Sequence, residues 1–355
     1  MKRLLLLTAT LFATQAHAVN LSLDLRGDLD AASYNKASKK PDNTFFTLHT
    51  ARVDLKGEMN EELSYRLRFR LNDESAAQGY DKLSNRVDYA YISQKMEGID
   101  LTLGKMLADV GGHETLQDSI NLYYKSEANK ALTGDYKDIA TGTVSYFFPI
   151  KYMTGAKIGA KLGDSEFAIM GFNNPDTDNS ATTPQSRFMS GAVFKGKFLD
   201  KQLQPVLSYH QVSYGSEAAA ADPDHKAQLL AAGLKWDADS FYAQADYIDL
   251  KSGPLLVTAV KNDLHIQTTV AEGGLKMGRY LPKLTIESSV VKQKPDTGAE
   301  LEKKFLGGGV ALEYKPFEDK NMRYHIAYTQ KTAQQDGADD KIENHLILGF
   351  MLSVK

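Results

Sequence analysis

The sequence predicts an all-β protein, a 16-stranded antiparallel transmembrane β-barrel with an inward-folded third loop, and three observations carry that reading. A leader with the features of an export signal opens the chain. Behind it, short runs alternate apolar and polar residues, as strands with two different faces must. The joins between those runs are alternately tight and long, as the turns and loops of an outer-membrane barrel are.

The leader has Lys2 and Arg3 as its positive region, an apolar stretch over residues 4–12, and Ala16-His17-Ala18 as a small-x-small cleavage site before Val19. The apolar stretch falls short of the roughly 20 residues that an anchored helix needs. The expected division is a signal peptide over 1–18 and one barrel domain over 19–355. No later stretch is long, apolar and uncharged, and the mean hydropathy is -0.38. That excludes a helical membrane protein but not a barrel, in which only alternate strand residues meet lipid. Loss of Lys2 and Arg3 leaves 40 basic against 45 acidic residues, a mild acidity that gives no reason to expect a nucleic-acid partner. Cysteine is absent, which removes disulfides, thiol catalysis and thiolate metal sites.

Taken in order, the first run spans about 20–30 and the second 44–57, followed by the clearest, 63–71. There Leu63, Tyr65, Leu67, Phe69 and Leu71 share one face, and Arg66, Arg68 and Arg70 the other. Next come 86–95 with 99–105, and 152–162 with 165–173. The pairs 187–198 with 203–214, 227–236 with 240–251, and 265–277 with 284–293 continue the pattern. The chain closes with 304–315, 322–332 and 342–354, the last carrying the apolar row Leu346, Leu348, Phe350, Leu352 and Val354. An even count places both ends of the domain on the periplasmic side. A further strand-like run at 141–148 is assigned to the long third join, because counting it breaks the parity; an 18-stranded barrel is the competing parse. Tyr89, Tyr91, Tyr209, Tyr247, Tyr314 and Tyr328, near strand ends, suit aromatic girdles at the membrane interfaces. A soluble β-sandwich or β-solenoid with a buried apolar face is the alternative, but soluble sheets rarely run to so many strands.

Residues 51–58 (Ala-Arg-Val-Asp-Leu-Lys-Gly-Glu) and 63–67 (Leu-Ser-Tyr-Arg-Leu) resemble an early hairpin of the phosphate-selective porin O and P family. Asp88-Tyr89-Ala90-Tyr91-Ile92, then Leu101-Thr102-Leu103-Gly104-Lys105-Met106, resemble the strand pair that leads into that family's third loop. The resemblance implies a bacterial outer-membrane porin, usually a homotrimer, with an inward-folded third loop and a basic pore. Two features depart from the pattern. The sequence closes on Lys355 where such barrels commonly carry an aromatic residue, Phe350 being the nearest. The third loop also balances Asp109, Glu114, Asp118 and Glu127 against Lys125 and Lys130, which argues against carrying phosphate selectivity over.

The candidate pore-lining residues are Arg52, Lys56, Arg66, Arg68, Arg70, Lys157 and Lys161. An arginine facing lipid near the bilayer midplane costs roughly 2–4 kcal/mol, so the row on the third run must face water. Arg52 and Lys56 join it from the neighbouring run, and the stripe would concentrate anions. The alternative is that these cations pair with Asp54, Asp88, Asp100 or loop acids and hold the wall together. Glu287, Asp246 and Glu313 predict a mixed far wall. The third loop, about 106–151, is expected to fold into the lumen, bending at Gly111-Gly112 and holding a short helix within 116–132. Seven histidines beyond the leader (His49, His113, His210, His225, His265, His325 and His345) show no metal-ligand spacing, and no nucleophile elbow occurs. No catalytic residue, metal or cofactor is therefore expected. The expectation is a passive channel for small hydrophilic solutes with a weak anion preference, embedded in outer-membrane lipid. The runner-up is a structural or adhesion barrel with a plugged pore and partner-binding loops.

Overall fold

The structure is a computed structural model that describes residues 17–72, 83–133, 152–173, 188–213, 226–257, 260–295, 299–318, 320–335 and 337–354. Sixteen strands are present: β1 (His17–Tyr34), β2 (Asn43–Glu58), β3 (Leu63–Asn72), β4 (Leu83–Met96), β5 (Ile99–Met106), β6 (Met153–Leu162), β7 (Ser165–Asn173) and β8 (Phe188–Lys195) form the first half. The second half is β9 (Leu203–Ser213), β10 (Lys226–Asp237), β11 (Phe241–Val257), β12 (Val260–Leu275), β13 (Tyr280–Pro295), β14 (Leu301–Tyr314), β15 (Asn321–Gln335) and β16 (Lys341–Val354). Each pairs antiparallel with its sequence neighbours, and β1 closes the barrel on β16, with Leu23 opposite Val354 and Tyr34 opposite Glu343. Closure leaves no unpaired strand edge, the condition for a sheet in hydrocarbon.

The sixteen strands coincide with the sixteen runs read from the sequence. The 141–148 run lies outside the described residues, but β5 and β6 pair directly, Met106 opposite Met153. The join between β11 and β12 is tighter than expected, since pairing continues to Val257 opposite Val260. β1 begins two residues before the expected cleavage point, and its regular pairing to β2 starts at Asn20.

The outward face is apolar: Leu21, Phe69, Ile92, Leu207, Leu230, Ile286, Leu306 and Ile326 are all exposed. Tyr209, Tyr247 and Tyr328 also lie on it, whereas Tyr89 and Tyr91 do not. Those two stand opposite Arg68 and Arg66 in the β3–β4 register and so share the inner face, which corrects their assignment to a girdle.

The inner face is divided. On β1 to β4 it carries Arg26, Asp28, Arg52, Asp54, Arg68, Arg70 and Asp88, all buried. On β7 to β13, toward the long-loop end, it carries a buried apolar cluster that includes Phe172, Met189, Leu229, Ile248, Leu250 and Ile266. Met106, Ala108, Val110, Ala128, Ala131 and Leu132 of the third loop and its strand end pack against that cluster. The hydrophobic core of this barrel therefore lies inside it.

Candidate functional site: the third loop and the arginine wall

The chain leaves β5 and turns at Gly111, whose φ of +91° is open mainly to glycine. A Cβ on Gly112 would run into the Asp246 carboxylate on β11. With glycine there, the amides of His113 and Glu114 come within 2.8 and 2.7 Å of that carboxylate. They open helix α1 (His113–Leu116), and a second helix, α2 (Glu127–Thr133), follows after a 3-10 turn. The short helix expected within 116–132 is α2, which runs one residue past that window, and α1 precedes it across a bridge that includes the 3-10 turn.

The bridge is stapled to opposite walls. Arg26 of β1 donates to the carbonyls of Ile120 (2.9 Å) and Leu122 (2.7 Å) and lies over the Tyr123 ring. Tyr123 donates to Glu313 of β14 at 3.0 Å, and Tyr124 donates to Glu287 of β13. Gly307 makes room for Tyr124, because a Cβ there would meet its hydroxyl. Glu127 takes a salt bridge from Lys331 of β15 at 2.6 Å. On the opposite side Gly111 donates to the Ser208 hydroxyl of β9 at 3.0 Å. Contacts with β1, β9, β11, β13, β14 and β15 place the segment across the lumen.

Loop acids are used the same way. Burial raises the Asp109 carboxyl, but Lys195 (2.9 Å) and Lys157 (3.1 Å) outweigh it and hold it below the usual carboxylate range. Burial likewise opposes ionisation of Glu127, and Lys130 and Lys331 bring it down to about 2. Glu114 differs. Among the described residues no cation pairs with it, and burial pushes it up to about 7 although the Ser126 amide (2.8 Å) and hydroxyl (2.6 Å) both donate to it.

The predicted lining residues separate into three groups. Arg52, Arg66, Arg68 and Arg70 converge on three aspartates. Arg66 binds Asp54 through both Nε (3.0 Å) and Nη2 (2.6 Å). Arg68 and Arg70 share Asp88 at 3.3 and 3.4 Å, and Arg52 holds Asp118 of the loop at 2.5 Å. Tyr89 lies under both Arg66 and Arg68, with guanidinium-to-ring distances of 4.0 and 4.2 Å. Lys157 faces inward but anchors the loop through Asp109. Lys56 and Lys161 face inward near the short-turn rim, where their side chains are 53% and 60% exposed and so strongly screened. Arg26 is not among the residues expected to line the pore, and nothing in the alternation signals that it clamps the loop backbone.

Three cavities flank the bridge. One of about 540 Å³ lies on the short-turn side and reaches Gln117, Lys235, Lys283 and Arg323. Another of about 370 Å³ lies on the long-loop side, by Arg26, His49, Lys331 and His345. Between them a cavity of about 230 Å³ rests on Arg66, Arg68 and Tyr89 and shares Gln117 with the first and Leu122 with the second.

A model of the family described as phosphate-selective porin O and P matches residues 19–200. No curated protein sequence matches the chain. Among solved structures, the outer membrane channel DcaP of Acinetobacter baumannii is 14% identical, with a TM-score of 0.67, covering 95% of this chain and 97% of that one. An anion-selective porin from Comamonas acidovorans is 9% identical, with a TM-score of 0.61 and coverage of 95% and 99%. OmpT of Vibrio cholerae in its trimer form is 13% identical, with a TM-score of 0.58 and the same coverage. At these identities the structures share the fold.

Proposed function

The chain belongs to the phosphate-selective porin O and P family, and from that premise we propose how this outer-membrane porin selects among the solutes it passes. Small hydrophilic solutes cross passively from the long-loop chamber past Arg66 and Arg68 of β3 to the short-turn chamber, with a weak preference for anions. The observation that carries this is the charge balance of the wall. Arg26, Arg52, Arg66, Arg68 and Arg70 are held by Asp28, Asp54, Asp88 and Asp118. Asp24 and Asp30 add carboxylates to the same face of β1, and at the central cavity Arg66 and Arg68 face the single carboxylate of Asp118. Nearly complete pairing fixes the arginines in place and leaves a small positive excess at that cavity. Such an excess attracts anions without excluding cations. Lys56 adds a screened charge at the mouth.

The apolar outer face suits outer-membrane lipid, and a homotrimer is the assembly that the family resemblance implies. The trimer form of OmpT supports that assembly by analogy of fold. Residues 1–18 are assigned as an export signal removed before the barrel forms. We assign the chain no catalytic chemistry. Planar-bilayer recording of the refolded protein tests this function: stable conductance steps with an anion-side reversal potential are expected. Silence from correctly folded protein would favour a plugged structural barrel instead, a reading to which the doubly stapled bridge lends some weight.

A further inference from the structure

The central cavity has an unusual pair of walls for a passage meant for bare ions. Arg66, Arg68 and Tyr89 form one side, while Leu116, Leu122 and Leu132 of the loop face it. A strongly hydrated anion gains from the guanidiniums but must give up water against the leucines, which Gln117, Ser119 and Asn129 of the same lining replace only in part. A carboxylate attached to a small apolar body has no such conflict, because its body is what the leucines and the tyrosine ring bury favourably. The charge count points the same way. Both arginines already share aspartates, and Asp118 itself lines the cavity, so the walls have little positive charge left to balance a dianion. Arg66, whose side chain is 20% exposed, engages Asp54 through Nε and Nη2, so among the described residues its Nη1 donors are not taken by that carboxylate.

We propose that this cavity is a solute-binding subsite for monocarboxylates with an aromatic or compact aliphatic body, in preference to inorganic phosphate. The carboxylate sits at Arg66 and Arg68, and the apolar body lies between Tyr89 and the loop leucines. Leu122 connects the subsite to the long-loop chamber and Gln117 connects it to the short-turn chamber, so an occupant would hold a waypoint on the path. The proposal rests on the channel reading above, and its test keeps the two separable.

Calorimetric titration of the folded full-length protein in detergent micelles reads the subsite, and bilayer recording of the same preparation reads the channel. Benzoate, acetate and phosphate serve as probes. Benzoate should bind about tenfold or more tightly than acetate, since burying a small ring is worth at least that factor. It should also interrupt the KCl current at concentrations where phosphate does not. Arg68→Gln should weaken benzoate about tenfold through the lost charged donors. Leu116→Asn leaves the arginines in place, so it should weaken benzoate while leaving acetate unchanged, and it carries the test if the arginine variant fails to fold. Acetate or phosphate binding as tightly as benzoate, or benzoate binding indifferent to both substitutions, overturns the subsite even if the channel conducts. Benzoate binding to a protein that never conducts keeps the subsite and overturns the channel.

Discussion

The two inner walls of this barrel solve one problem in opposite ways. On β1 to β4 the wall is ionic, and its charges are satisfied laterally, each arginine by aspartates of the same or the next strand and by Asp118 of the loop. On β7 to β13 the wall near the long-loop end is apolar, and it is satisfied by cover, with α2 and the strand end at Met106 lying on it. An inner face therefore need not be polar where a loop keeps water off it. The loop is attached to the ionic wall by Arg26 and Arg52, and to β7 to β13 by apolar cover near the long-loop end together with polar contacts at Lys195, Ser208, Asp246 and Glu287.

Removing the cover should separate the two walls most sharply. Deletion of 112–133 should raise single-channel conductance severalfold and lower stability, because Leu229, Ile248, Leu250 and Ile266 would then face water, at about 1.5–3 kcal/mol for each fully wetted side chain. Conductance and urea unfolding of the refolded barrel check both halves. An unchanged conductance would mean that the loop does not limit the passage.

A smaller effect is expected from single truncations. Leu250→Ala on the apolar wall should cost about 2–5 kcal/mol of unfolding free energy, as a buried large-to-small change does. The same truncation of outward Leu230, which is 54% exposed, should cost far less in micelles. Equal costs at the two positions would dissolve the distinction between covered wall and outer face.

The smallest effect is a pH dependence of the loop. Glu114 has its carboxyl raised by burial to about 7 from the ordinary 4.5. The docked loop therefore holds a proton that the undocked loop releases. Docking should be strongest below about pH 4.5, weaken as pH rises toward 7, and level off above it. Open-channel noise should grow over that interval, and Glu114→Gln should abolish the trend. A trend that survives in Glu114→Gln belongs to another group.

The strand alternation made the ionic wall legible, since Arg66, Arg68 and Arg70 opposite Leu67, Phe69 and Leu71 leave only one orientation open in a membrane. The apolar wall was not read. In β10 the sequence Leu229-Leu230-Ala231-Ala232 is apolar on both faces, and alternation carries no information when both faces read alike. A strand with two apolar faces in an otherwise alternating barrel is itself a signal of a covered inner wall. The tyrosines were misassigned for a related reason. Tyr89 and Tyr91 satisfy a girdle by composition, but their register opposite Arg68 and Arg66 turns them inward, where Tyr89 supports both guanidiniums and Tyr91 packs edge-on against Tyr89. The loop clamp at Arg26 depends on backbone carbonyls 94 and 96 residues away, and no local pattern encodes a contact of that range.

The central claim is that the paired arginine wall, through its small positive excess at the central cavity, sets the selectivity of the passage. The direct measurement is the reversal potential in a KCl gradient, at low and high salt, for the wild type and for Arg66→Gln/Arg68→Gln/Arg70→Gln. The account predicts a modest anion preference in the wild type that shifts toward cations in the triple variant, more at low salt, where screening is weak. A wild-type preference for cations, or a potential that the triple substitution leaves unmoved at low salt, would contradict it.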